Sequence, residues 1–143
     1  MEENKNVLDE LNKGTTMGVD AINFVLDKVE DDEFKEVLEI QKDKYDDIAK
    51  RISDIYKKYD TEDEPHETGT MTKAMTWYGI EMKTLLDKSN SKIAELLLKG
   101  TNMGIIEGKK ILNNKHLDKD VSNIAKDYVS MQEDSVEALK KYL

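Results

Sequence analysis

The side chains that most often carry chemistry are unevenly supplied in this chain. There is no cysteine, and two histidines stand against 31 aspartates and glutamates. The missing thiol excludes a disulfide framework, a zinc finger, an iron–sulfur cluster and a cysteine nucleophile. His66 follows Pro65 in a polar stretch, and His116 falls where a turn is expected. No serine–histidine–aspartate relay can be assembled from them. No glycine-rich phosphate loop is present. The run Glu62-Asp63-Glu64, with His66 and Glu67, offers oxygens to a divalent cation but lacks the spacing of a calcium loop, and a solvated loop is the preferred reading. What remains is neutral. Thr15, Thr16, Gln41, Thr101, Asn102 and Tyr128 form a candidate central polar pocket if their helices turn them inward. The preferred reading of Thr15 and Thr101 is that each hydroxyl bonds the carbonyl four residues back and is satisfied, with the polar pocket as the alternative. Gly14, Gly18, Gly100, Gly104 and Gly108 lie beside them. Each costs about 1 kcal/mol against alanine in a helix interior, so something must compensate. Close packing of the first and fourth helices is the preferred reading, with a ligand cavity as the alternative.

The elements that must position these residues show a repeat. Lys13-Gly-Thr-Thr-Met-Gly-Val19 matches Lys99-Gly-Thr-Asn-Met-Gly-Ile105 at an offset of 86, which also aligns Leu11 with Leu97 and Val25 with Ile111. Apolar residues at three- and four-residue spacing predict helices over about 4–30, 33–60, 70–88, 90–114 and 118–142. Leu8, Leu11, Thr15, Gly18, Ile22, Leu26 and Val29 share one face of the first. The second carries Phe34, Val37, Leu38, Tyr45, Ile48, Ile52, Ile55 and Tyr59, with Gln41 at an inner position. Asp31-Asp32 and Asp118 are candidate N-caps, and Ser89-Asn90-Ser91 marks a break. Asp46–Lys50, Asp47–Arg51 and Asp54–Lys58 are acid-before-base pairs at i,i+4. Thr61 to Gly69 reads as a loop. Met71, Met75, Tyr78, Met82 and Leu85 stripe the third helix, with Trp77 off the stripe as a candidate oligomer contact.

Two helical hairpins are therefore expected, 4–60 and 90–143, joined by a crossover over 61–89 within a single domain spanning 1–143. A 19-residue crossover helix would rise about 28 Å, enough to run the length of a bundle. The expected fold is all-α: an up-down four-helix bundle of repeated hairpins with one long crossover, the ferritin-like topology.

Composition agrees with a charged helical exterior. Charged residues make up 37% of the chain, hydrophobic residues 38%, and there is one proline. A net charge of −9 argues against nucleic acid and anionic membranes as partners. No apolar run of about 18 residues exists to span a bilayer. The opening MEENKNVLDE lacks the basic and apolar regions of a secretory signal, and a cytoplasmic location is expected.

The two hairpins with mid-helix glycines, the segment Gly69-Thr-Met-Thr-Lys-Ala-Met-Thr-Trp-Tyr78, then Leu85-Leu86 and Leu97-Leu98-Lys99-Gly100, resemble a ferritin-like bacterial family of unknown function. The wider superfamily, with ferritins and rubrerythrins, oxidises iron or reduces peroxide at a carboxylate-bridged di-metal centre. Such a centre takes a glutamate from each of two helices and Glu-x-x-His from each of the other two. This chain has no Glu-x-x-His: His66 has Asp63 at i−3, and His116 has Asn113. The family's acidic position after the glycine is Thr15 or Thr101, and the inner pairs of helices 2 and 5 read Leu38-x-x-Gln41 and Ala125-x-x-Tyr128.

The resemblance and its missing ligands imply a non-catalytic binding or structural protein, without metal or cofactor, as a homodimer. One alternative is a divergent metal-dependent oxidoreductase with an atypical site at Glu107 or Glu81. Another is a helical adaptor or coat-associated component that recognises a protein partner.

Overall fold

The computed structural model describes residues 2–60, 65 and 73–143. Helix accounts for 82% of them, and no strand forms among the described residues. The helices are α1 (Glu2–Leu26), α2 (Asp32–Tyr56), α3 (Lys73–Lys83), α4 (Asn90–Asn114) and α5 (Lys119–Lys140). The all-α expectation holds.

The helix starts are set by local chemistry. The Asp31 carboxylate accepts from the Phe34 amide at 2.9 Å, and Ser89 Oγ accepts from the Lys92 amide at 3.2 Å. Each satisfies one of the amides that a helix start leaves without a partner. Asp118 precedes α5 but makes no side-chain cap bond. Its carboxylate instead accepts from the Tyr59 hydroxyl at 2.7 Å, tying the end of the first hairpin to the start of α5.

The four long helices share one core. α1 packs on α2 and α4, α5 packs on α4 and α2, and α3 packs against α4. Asn4 Oδ1 accepts from the Asp118 amide at 2.8 Å, while Glu10 reaches Glu107. Partner numbers fall as α1 numbers rise, so α1 and α4 run antiparallel. Leu8, Leu11, Phe34, Leu38, Ile52, Ile93, Ile124 and Leu139 are fully buried between the helices. Burying a side chain of this size contributes roughly 1.5–3 kcal/mol each. Phe34 stacks on Tyr142, with ring centroids 4.2 Å apart.

Three expectations need correction. The crossover helix ends at Lys83 rather than at 88, and its described part, Lys73–Lys83, rises about 16 Å. Beyond it, Thr84 Oγ1 donates to the Ile80 carbonyl at 2.8 Å, and Asp87 accepts from the Ser89 amide at 2.9 Å. Such bonds compete with the helical ladder. Secondly, α2 stops at Tyr56, and Tyr56 rather than Tyr59 fills the core at its end. Thirdly, Arg51 and Lys58 reach across to α5, to Asp127 and Asp120, each at 2.7 Å, instead of back along α2. Both face the neighbouring helix, where an acid of α5 meets them. Met71 and the acidic cluster Glu62, Asp63, Glu64, His66 and Glu67 lie outside the described residues.

Candidate functional site

The inward faces of α1 and α4 carry little side-chain volume where the glycines fall, and the helices enclose a cavity of about 470 Å³ there. Gly14 and Gly18 line it from α1, and Gly100 and Gly104 from α4. Gln41 and Tyr45 enter from α2, Tyr128 and Gln132 from α5, and Met75 and Tyr78 from α3. The size falls inside the range of about 300–1,000 Å³ that small-molecule sites occupy.

The glycines make room for side chains, not for an opposing backbone. A Cβ on Gly18 would stand 2.5 Å from Tyr45 Cζ, and one on Gly100 would stand 2.5 Å from Tyr78 Cζ. A Cβ on Gly14 would collide with the Tyr128 hydroxyl, on Gly104 with the Gln132 amide, and on Gly108 with Val129. The preferred sequence reading, backbone contact of the first and fourth helices, is therefore replaced. Four glycine surfaces serve as seats for three phenol rings and one carboxamide. Gly108 is buried under α5 and belongs to the core, not to the cavity.

Thr101 Oγ1 donates to the Leu97 carbonyl at 2.8 Å. Tyr45 accepts from Gln132 Nε2 at 3.1 Å. Gln132 also reaches Tyr128. Two atoms are left over. Gln41 Nε2 and Gln132 Oε1 are fully buried and have no hydrogen-bond partner. Their residues are 5% and 2% exposed. An orphaned buried polar atom costs about 1–3 kcal/mol, so most buried polar groups have a partner.

Burial pushes the Tyr45, Tyr78 and Tyr128 hydroxyls upward in pKa, and the other phenols of the group add to the effect at Tyr78 and Tyr128. All three stay protonated at neutral pH. Charge is kept to the cavity's edge: Glu10, Glu107 and Lys110 are exposed there, and Lys13 is half-buried. The Glu10 carboxyl is raised, first by partial burial and then by the charge and hydrogen bond of Glu107, with Lys115 and Lys13 opposing. Among the described residues, no three histidine, aspartate or glutamate side chains gather into a metal-binding group. Chemically the arrangement offers a chamber with mostly apolar walls, a few neutral hydrogen-bonding side chains, and Glu10, Lys13, Glu107 and Lys110 as its charged lining.

The six candidate pocket residues divide. Gln41, Thr101 and Tyr128 line the cavity. Thr15 is fully buried behind it, and its hydroxyl donates to the Leu11 carbonyl at 2.7 Å, so the satisfied reading describes it. Thr16 is half-buried off the cavity, and Asn102 points to solvent, because each is one residue round the helix from the inward threonine. Glu107 sits at the rim, whereas Glu81 lies on α3 away from it. Tyr45, Tyr78, Gln132 and Glu10 were missing from the candidate set. The sequence did hold a signal for two of them. Gln41–Tyr45 on α2 and Tyr128–Gln132 on α5 are the same two residue types four apart, in opposite order, at inward positions. Residues at that spacing share a helix face.

No protein-family model, no curated protein and no solved structure matches this chain.

Proposed function

We propose that this chain is a ferritin-like four-helix bundle of duplicated hairpins that binds a small, largely apolar molecule in its central chamber and does not catalyse a reaction on it. The observation that carries the reading is the cavity of about 470 Å³ between the glycine-bearing faces of α1 and α4, with Gln41 and Gln132 among its lining residues. An unneeded gap would be expected to close, since interiors pack to high density. Here glycines and large phenols are arranged around it, at a helix-propensity cost of about 1 kcal/mol per glycine. The walls are mostly apolar, and rings at glycine seats suit a flat guest.

Calorimetric titration with naphthalene, a guest with no polar group, tests this reading. The parent protein should bind with micromolar to millimolar affinity. Ala21→Phe, which fills the wall from α1, should lose binding while keeping its helical spectrum. No heat from the parent, or equal heat from the filled variant, would refute it. As part of the same proposal, Trp77 and Ile80, 46% and 58% exposed on α3, provide the contact of a homodimer. Light scattering across a concentration series checks this.

One observation favours a second reading. Glu10 and Glu107 both line the cavity, and Glu107 helps to raise the Glu10 carboxyl, a pairing a metal-dependent oxidoreductase could use. Stoichiometric iron or manganese in protein purified without chelator, lost in Glu107→Gln, would favour it over a binding protein.

A further inference from the structure

The chamber is long, and its two ends differ. Its lining runs from Glu10 to Ile22 on α1 and from Leu97 to Lys110 on α4, and each stretch rises about 18–20 Å. Spread over that length, a volume of about 470 Å³ averages about 25 Å² in cross-section, room for one hydrocarbon chain. Glu10 of α1 lies level with Glu107 of α4, and Lys13 and Lys110 each follow within one turn of their helix. Among the described residues these four are the charged lining, so all of it gathers at one end. Glu10, Glu107 and Lys110 are exposed there, which makes this end the more open one. Since α1 and α4 run antiparallel, Ile22 and Leu97 share the other end, and both are buried. Between the ends, the Tyr128 phenol stands at Gly14, the Tyr45 ring at Gly18 and the Tyr78 ring at Gly100. The lining thus passes from charged side chains, through phenols and carboxamides, to hydrocarbon.

We propose that the chamber holds one single-chain amphiphile lengthwise, its uncharged polar head among the charged residues of the Glu10–Glu107 end and its tail running past the three phenols to Ile22 and Leu97. This rests on the reading of the cavity as a binding site and adds the guest's length, polarity and direction. Carboxylates and ammoniums both line the head end, so a hydroxyl there finds acceptors and donors. A head of either charge would meet a like charge as well as a counter-charge. At the other end a polar group would be buried beside aliphatic side chains and would lose its hydrogen bonds to water. A methylene placed there instead strengthens binding by roughly fourfold. An extended chain is flat enough to lie along the phenol faces, and naphthalene fills only part of the length it would occupy.

The test uses dodecanol on the full chain, without any substitution. Isotope-filtered nuclear Overhauser spectra of labelled protein with unlabelled guest show which residues touch each end of the molecule. The terminal methyl should contact Ile22 and Leu97, and the hydroxymethyl protons should contact the Glu10 and Glu107 side chains. Dodecanediol, with a hydroxyl at each end, is the control. It must bury one hydroxyl at the aliphatic end and should bind at least about tenfold more weakly by calorimetry. A methyl that contacts the charged end, or a diol that binds as tightly as dodecanol, would overturn the lengthwise placement. Naphthalene binding in the same protein would then still leave the chamber a binding site. Binding of neither dodecanol nor naphthalene would overturn the site itself.

Discussion

Replacing Gly18 by alanine tests the seating of the rings. In a helix interior the change should stabilise by about 1 kcal/mol, since alanine is the better helix former. The structure predicts the reverse. The new methyl would lie 2.5 Å from Tyr45 Cζ and 2.7 Å from both Cε atoms. The contact is with the middle of a ring, not the end of a flexible chain, so the ring must retreat by nearly 1 Å to reach ordinary contact. Tyr45 is 4% exposed and held at its far end by the 3.1 Å bond from Gln132. Overpacking of this kind costs about 1–3 kcal/mol, and the strained or broken hydrogen bond about 1 kcal/mol more. Set against the propensity gain, the net loss is about 1–3 kcal/mol. At this chain length that lowers Tm by about 3–10 °C. Gly79→Ala is the internal control. It lies in α3 with nothing within 4 Å of its would-be Cβ, so alanine there should be neutral or raise stability by up to about 1 kcal/mol. Melting followed at 222 nm, with urea denaturation for the free energies, separates the two. If Gly18→Ala stabilises as Gly79→Ala does, Tyr45 is not seated on the α1 backbone and the account of the glycines fails.

Asp31→Ala removes the acceptor for the Phe34 amide and should cost about 1 kcal/mol in urea denaturation, with a loss near zero showing that α2 starts elsewhere. Arg51→Ala breaks an exposed pair with Asp127, so the loss should stay within about 1 kcal/mol and shrink in high salt; a larger, salt-independent loss would contradict the surface placement. The rim carboxyls give a pH signature. Burial and Glu107 raise Glu10, so the folded chain keeps a proton that the unfolded chain has already released. Stability from this group is therefore full below the ordinary glutamate range and falls as pH rises through it toward the raised value. Glu107→Gln should melt above the parent at pH 7, and the gap should close on acidification as Glu10 takes up its proton. A gap that widened on acidification would reverse the argument.

Much of the fold could be read from the periodicity of the chain. Asn90–Asn114 forms as the spacing predicts, because Ser89 ahead of it and the polar residues behind it bound a continuous apolar face. Capping by Asp31 was equally legible, since a carboxylate before a helical run has one common use. Threonine back-bonding was readable for the same local reason. The end of the crossover was not: α3 stops at Lys83, although Leu85 continues the apolar stripe. Partner choice for Arg51 and Lys58 was also hidden, since i,i+4 spacing says nothing of the acid on a neighbouring helix. Of the site, sequence yielded the inward helix faces and three cavity residues, Gln41, Thr101 and Tyr128. It misread the purpose of the glycines. A small residue signals that something comes close, but only the assembled bundle shows whether that is a backbone or a tyrosine ring.

The central claim, that the chamber between the glycine faces is a binding site, is tested most directly by mapping a guest onto the backbone. Amide proton–nitrogen spectra of isotope-labelled protein, titrated with naphthalene, report every residue at once. The account predicts that the amides of Gly14, Gly18, Gly100 and Gly104 shift together with a single affinity, while the exposed α3 residues Trp77 and Ile80 stay where they are. Unmoved glycine amides, or shifts centred on the α3 surface, would contradict it.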